Sequence, residues 1–171
     1  MENKLLVHKH LIIRAEAKNP PMEESFLRHW LQKFIHEIGM KVMMGPYVKY
    51  SNMVGNRGIT GAAIIETSHI VMHVWDEPDP ALLQFDVYSC GEFNPETICE
   101  KIKRDFSTTK IEYKFLDREH DLKEIHTVGY DELGYWNFKI NHYIYIRLHH
   151  VDGPINLLNK GDNYDKPRSF Q

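Results

Sequence analysis

The chain has little of what marks secreted or membrane-bound proteins. It contains two cysteines, Cys90 and Cys99, which argues against a disulfide framework and favours a reducing compartment. No apolar stretch approaches the ~20 residues of a membrane span, and the apolar run after Lys4 is too short for a signal peptide. We therefore expect a cytoplasmic protein without a membrane partner.

An excess of charge of one sign is also absent. The 171 residues include 21 basic and 24 acidic side chains, for a formal net charge of −3, so nothing predicts a surface that binds nucleic acid. With 42% hydrophobic and 26% charged residues, the composition is typical of a globular domain that is large enough for a substantial core.

Histidine, by contrast, is abundant, with 11 residues. His69 and His73 would share a helix face, but the β-branched and aromatic residues at 70–75 favour a strand. On a strand these two side chains lie about 13 Å apart, at about 3.3 Å per residue, which is too far to chelate one ion. The sequence therefore predicts no metal site.

Apolar periodicity predicts two helices and a larger number of strands. Residues at i, i+3, i+4 and i+7 predict a first helix, with a stripe formed by Phe26, Leu27, Trp30, Leu31, Phe34, Ile35 and Ile38. Asn94-Pro95 opens a second helix that runs to about Phe106. Strands are predicted at residues 9–18, 40–50, 59–66, 70–75, 82–90 and 110–116. Short links imply antiparallel neighbours, so we expect an α+β fold, a two-layer sandwich with a mainly antiparallel sheet and helices packed on one face.

The pattern weakens after residue 119. Residues 125–136 are mixed, residues 138–148 alternate as one further strand, and the polar stretch from Gly153 to Gln171 predicts a loop or a loosely held tail. We therefore divide the chain into one domain at 1–119 and a C-terminal extension at 120–171.

The most specific motif lies between Gly58 and Gly91. It contains Ser68-His69, followed by His73-x-Trp75-x-Glu77 and then by Asp86-x-Tyr88-Ser89-Cys90-Gly91. In these residues the chain resembles the pyruvoyl-dependent S-adenosylmethionine decarboxylases of the small prokaryotic type. The likeness extends over roughly residues 5–118.

The resemblance implies that the cofactor is made from the chain itself. The Ser68 hydroxyl attacks the carbonyl carbon of Thr67, and β-elimination then splits the chain between these two residues and leaves a pyruvoyl group at position 68. The keto group condenses with the α-amine of S-adenosylmethionine and withdraws electrons as carbon dioxide leaves. The product is the aminopropyl donor for spermidine synthesis.

The resemblance also implies a role for each residue around this serine. His73 assists the elimination, Thr60 stands where a hydroxyl residue helps the ester to form, and Cys90 reprotonates the substrate. Glu77 holds the ribose hydroxyls, and Trp75 offers a face to the adenine or to the sulfonium. In the family two copies meet to complete the active sites, so a homodimer is implied.

Three features differ from the family pattern and leave alternatives open. Thr67 replaces a glutamate before the serine, and Asp76 replaces a proline. Only Tyr47 or Tyr50 is available to stack on adenine. The alternatives are a pyruvoyl decarboxylase that acts on arginine or ornithine, and an uncleaved relative without catalytic activity.

Overall fold

The computed structural model describes residues 7–130, 136–140 and 144–148. Along this part of the chain the elements are β1 (Lys9–Ala17), α1 (Glu24–Glu37), β2 (Val42–Ser51), β3 (Gly58–Ile65), β4 (Ser68–Trp75), β5 (Ala81–Ser89), α2 (Pro95–Phe106), β6 (Thr108–Asp117), β7 (Lys123–Tyr130), β8 (Trp136–Ile140) and β9 (Ile144–Leu148). No helix in these ranges has the length and apolar character that crossing a membrane requires.

The strands form one sheet in the order β2-β3-β4-β5-β1-β6-β7-β8-β9. Every neighbouring pair is antiparallel. The first strand of the chain lies between β5 and β6, inside the sheet. The two helices pack against it, α1 on β2 and β3 and α2 on β1 and β6. The predicted α+β sandwich with a mainly antiparallel sheet is confirmed.

The core lies between the helices and one face of the sheet. Alternate residues of the central strands are buried there, among them Leu11, Ile13, Ile70, Met72, Leu83 and Phe85, as the period of two in a strand requires. A Cβ atom at Gly61 would lie 2.6 Å from Cδ1 of Leu31, so glycine is what lets α1 approach β3. We call the other face, which bears the half-buried His69, Val71, His73 and Trp75 of β4, the open face.

Helix α1 forms where the apolar stripe predicts it, but one member of the predicted stripe is wrong. Phe26 is 51% exposed, whereas Leu27 and Leu31 are fully buried. Phe26 lies in the first turn of α1 at the edge of the apolar stripe. It is on the same side of the helix as Lys33, seven residues later. Periodicity alone included Phe26 because it is apolar and lies four residues before Trp30, another apolar residue of the stripe.

Helix α2 begins where the sequence predicts. The Asn94 side chain accepts hydrogen bonds from the backbone N–H groups of Glu96 and Thr97, at 2.8 and 3.2 Å, and Pro95 occupies the first helical position. This pairing of an N-cap with a proline satisfies orphan donors at the helix start. The predicted inward residues Ile98, Cys99, Ile102 and Phe106 are all buried.

The prediction of one strand at residues 138–148 is wrong. The structure has two strands, β8 and β9, which pair antiparallel with Ile140 opposite Ile144. Ile140 and Ile144 are four positions apart, an even number. The alternation of apolar and polar residues therefore continues from β8 into β9 without a break, and the sequence pattern does not show where the chain reverses. The predicted tail at 153–171 lies outside the described residues.

Candidate active site

The hairpin between β3 and β4 holds Ser68 in an unusual backbone conformation. Ile65 pairs with Ser68, so Glu66 and Thr67 form a two-residue connection. Ser68 has φ of 148°, a region that residues with a Cβ rarely adopt, at a cost of about 1–3 kcal/mol. The serine singled out by the sequence is therefore also a strained residue.

The carbonyl group that precedes Ser68 is held by the end of β5. The backbone N–H of Cys90 donates to the Thr67 carbonyl oxygen at 2.9 Å. Ser89, fully buried and paired with Ser68, accepts from the N–H of Gly91 at 2.8 Å, which fixes the turn that follows β5. A hydrogen bond of this kind polarises the carbonyl and favours attack at its carbon.

The Ser68 hydroxyl lies beside a cluster of rings on the open face. Its Oγ is 3.2 Å from Nδ1 of His69, and the His69 ring packs edge-on against Tyr88, with centroids 5.6 Å apart. Tyr88 is held in turn by His8 Nδ1, 3.0 Å from its hydroxyl, and by the Arg118 guanidinium 4.0 Å above its ring. We call Thr67, Ser68, His69 and Cys90 the Ser68 end of the site.

A second group of predicted residues lies at the other end of β4. Thr60 on β3 is directly opposite His73, and its Oγ1 is 3.0 Å from Nδ1 of His73. The His73 and Trp75 rings lie 5.8 Å apart. His73 lies five positions along the extended strand from Ser68, about 16 Å away at about 3.3 Å per residue. Within one chain the structure therefore does not bring His73 or Thr60 to Ser68.

Glu77 and Trp75 anchor the loop between β2 and β3. The carboxylate of Glu77 accepts from the backbone N–H of Gly55 at 2.9 Å and of Arg57 at 3.3 Å, while the Trp75 indole donates to Asn56 Oδ1 at 2.7 Å. We call Thr60, His73, Trp75 and Glu77 the His73 end of the site.

Asp76, which replaces the proline of the family pattern, ties this loop to β2. It accepts from the Tyr50 hydroxyl at 2.5 Å and from Nε of Arg57 at 2.6 Å. Burial raises the pKa of Asp76, but the hydrogen bonds from Tyr50 and Arg57 outweigh it and lower the pKa overall. Since Tyr50 is engaged here, Tyr47, which is 67% exposed opposite Ala62, is the freer of the two candidate aromatics.

One group of side chains has the spacing of a metal site. Ligand atoms of Asp117, Glu119 and His120 lie within 4.8 Å of one another. Asp117 already accepts from Lys9 Nζ at 2.8 Å and from the N–H groups of Glu119 and His120. These bonds account for the local geometry without an ion.

Comparison with known proteins identifies the family of the chain. The family profile of S-adenosylmethionine decarboxylase matches residues 9–119, more than half of the chain. The chain belongs to the S-adenosylmethionine decarboxylase family. The predicted enzyme class is thus confirmed at the level of the family.

Relatives in archaea and bacteria carry the name S-adenosylmethionine decarboxylase proenzyme. The Pyrococcus furiosus protein is 34% identical over 125 residues, which cover 70% of this chain and 86% of the relative. The Picrophilus torridus protein is 28% identical over 119 residues, covering 69% and 80%. A Clostridium botulinum protein is 28% identical over 108 residues, covering 61% and 88%.

Within this family site, sequence reasoning gave no role to His69 or to Ser89. His69 was weighed as a metal ligand and quoted as part of the family motif, but its position directly after the serine, a usable signal, was not given a chemical role. The role of Ser89 depends on strand register, which places it opposite Ser68 across 21 residues of sequence (89 − 68). Nothing local in the sequence reveals that pairing.

Proposed function

We propose that this chain is a proenzyme that cleaves itself between Thr67 and Ser68 and then decarboxylates S-adenosylmethionine to the aminopropyl donor for spermidine synthesis. The observation that carries the proposal is the strained Ser68, whose preceding carbonyl oxygen accepts from the Cys90 N–H at 2.9 Å. The membership of the decarboxylase family supplies the substrate class. We further propose that the protein acts in the cytoplasm, with residues 120–171 as an extension of the catalytic domain.

The residues present fit a pyruvoyl group at position 68. Such a group, once formed, supplies the electron sink into which the electrons of the departing carboxylate flow. Cys90 follows β5 directly beside this position, and its thiol is our candidate for returning a proton to the substrate α-carbon. Trp75 at the end of β4 and Glu77 two residues later are the proposed substrate-binding groups. The Glu77 carboxylate can accept hydrogen bonds from ribose hydroxyls in addition to its two N–H partners.

We propose that the active site is completed by a second copy of the chain. In this arrangement the open faces of two protomers stack on each other, and the two-fold axis passes between them near Val71 of β4. The His73 end of each protomer would then lie over the Ser68 end of the other. Packed sheets stand about 10 Å apart, close enough for their side chains to meet. Ile12 and Ile64, 39% and 47% exposed on this face, would be covered in the same contact. In this homodimer His73 of one protomer removes the Ser68 α-proton of the other, and Thr60, whose Oγ1 lies 3.0 Å from Nδ1 of His73, supplies the hydroxyl that helps the ester to form.

A denaturing mass spectrum of the purified protein tests the proposal. Fragments of 67 and 104 residues (171 − 67, from the chain length) support it, and an intact chain overturns it in favour of an uncleaved relative. Assays of carbon dioxide release from S-adenosylmethionine, arginine and ornithine then identify the substrate. Release from arginine or ornithine alone would contradict the substrate but not the cleavage.

A further inference from the structure

We infer that His69 is the general base for the first step of self-cleavage, in which it takes the proton of the Ser68 hydroxyl. The backbone N–H of Cys90 stabilises the charge that develops on the Thr67 carbonyl oxygen. This inference rests on the proposed function and assigns a residue to ester formation that lies in the same chain as Ser68.

Geometry singles out His69 among the histidines within the described residues. Its Nδ1 lies 3.2 Å from Ser68 Oγ, at the upper limit of the reach expected of a base. His73, on the same strand, is about 16 Å away at about 3.3 Å per residue, and its Nδ1 already contacts Thr60. The edge-on contact with Tyr88 limits rotation of the His69 ring and keeps the nitrogen directed at the hydroxyl.

The surroundings of His69 favour the neutral form of its ring. On the adjoining strands it faces Tyr88 and Asp86 of β5 and His10 of β1, with His8 and Arg118 beyond Tyr88. Burial lowers the pKa of His69, the charges of His10 and Arg118 lower it further, and Asp86 raises it in part. A neutral imidazole with its proton on Nε2 has a free lone pair on Nδ1, which is what a base at this position requires.

The step conserves atoms and charge. The Ser68 Oγ proton moves to Nδ1 of His69 as Oγ bonds to the Thr67 carbonyl carbon, and the electron pair of the carbonyl moves to its oxygen, toward the Cys90 N–H. When this pair returns, the bond between the Thr67 carbonyl carbon and the Ser68 nitrogen breaks. His69 gives its proton to that nitrogen, which leaves an ester and a free amine.

Hydroxylamine trapping tests this step separately from the elimination. In His73→Ala the chain should stop after ester formation, and hydroxylamine should cleave it into two fragments, the first ending in a Thr67 hydroxamate. In His69→Gln combined with His73→Ala, hydroxylamine-sensitive ester should form about 100-fold more slowly or more, the range of general-base catalysis. Glutamine can accept the serine hydrogen bond but cannot carry the proton. Equal rates of ester formation in the two variants would overturn the inference.

Single variants and pH separate this inference from the proposed function. His69→Gln alone should remain largely intact in the mass spectrum, whereas His29→Gln, at an exposed position on α1, should be cleaved like the unmodified chain. If the unmodified chain is cleaved and His69→Gln is cleaved at the same rate, the base is not His69 although the proenzyme proposal stands. If the unmodified chain is never cleaved, the proposed function itself fails.

The unmodified chain offers a readout that does not depend on the folding of a variant. With excess hydroxylamine, which cleaves the ester as it forms and so bypasses the elimination at His73, the cleavage rate of freshly synthesised protein should rise with pH and level off below the ordinary histidine range, because the neutral His69 ring is the active form. A rate that keeps rising well above that range would contradict a histidine base with a lowered pKa.

Discussion

The two ends of β4 differ in what they have already assembled. At the Ser68 end, in a single chain, a strained serine lies 3.2 Å from an imidazole nitrogen, and the carbonyl that precedes the serine accepts a backbone hydrogen bond at 2.9 Å. At the His73 end, Thr60 and His73 are paired but lie about 16 Å from the serine, at about 3.3 Å per residue. We propose accordingly that the nucleophile, the carbonyl group and the base of ester formation come from one chain, whereas Thr60 and His73 come from a second copy.

The largest effect is expected from removing the hydroxyl at the Ser68 end. Ser68→Ala should abolish cleavage and decarboxylation together, because the nucleophile and the precursor of the pyruvoyl group are the same residue. Mass spectrometry of the purified variant should show only the intact chain. Two fragments from Ser68→Ala would mean that cleavage occurs elsewhere.

Complementation tests whether the two ends belong to different chains. Cys90→Ala and His73→Ala should each be nearly inactive alone, and co-expression should restore decarboxylation. In the mixed dimer one site takes an intact Ser68 end from the His73→Ala chain and an intact His73 end from the Cys90→Ala chain. The measurement is the decarboxylation rate of the mixed dimer, which is isolated by two purification steps through a different affinity tag on each variant chain.

An absence of rescue in isolated mixed dimers would place both ends of each working site in one chain, against the two-fold arrangement. A second pair, Thr60→Ala with Cys90→Ala, provides an independent repeat of the test. Thr60 lies on β3, so this pair probes the His73 end through a different strand.

A smaller effect is expected from Cys90→Ala on its own. Cleavage should continue, because the group that contacts the Thr67 carbonyl is the backbone N–H of residue 90, which alanine retains. Turnover should fall about 100-fold or more, as expected for loss of a proton donor. Measuring the ratio of cleaved to intact chain together with the decarboxylation rate separates the effect on cleavage from the effect on turnover. Loss of cleavage would assign the Cys90 thiol itself to processing.

The smallest effect is expected in the loop at the His73 end. Asp76→Asn weakens the contacts with Tyr50 and Arg57 and should lower the melting temperature at neutral pH. Since the pKa of Asp76 is lower in the folded chain, its stabilisation is complete above the unfolded pKa and is lost as pH falls through the folded one.

The difference in melting temperature between Asp76→Asn and the unmodified chain should therefore shrink in strong acid. Thermal unfolding followed by circular dichroism at neutral and acidic pH is the measurement. A constant difference at all pH values would show that the carboxylate charge of Asp76 is not what stabilises the loop.

Most of the fold could be predicted because its signals are local. The capping residue Asn94 and the alternation in β5 act within a few residues, and both are seen in the structure. Phe26 was assigned to the core because periodicity does not locate the edges of an apolar stripe. The reversal between β8 and β9 was missed because the apolar and polar alternation of one strand continues into the next.

The site was predictable in its residue types but not in its distances. The spacing of Ser68, His73 and Cys90 along the sequence says nothing about the register that places Ser89 opposite Ser68 and Thr60 opposite His73. Those pairings decide which groups meet within a chain. The contact between Ser68 and His69 depends on a backbone angle that composition and periodicity do not encode.

The position of β1 determines what becomes of the two pieces after cleavage. The fragment that ends at Thr67 would contribute β1, β2 and β3, and β1 pairs on both sides with strands of the other fragment, β5 and β6. The pieces are interlaced, so neither can leave without the sheet coming apart. The mature enzyme would be a non-covalent complex of two peptides, and its recovery from unfolding would depend on concentration, as it does for separate subunits. Folding as a single chain, independent of concentration, would thus be open only to the uncleaved precursor.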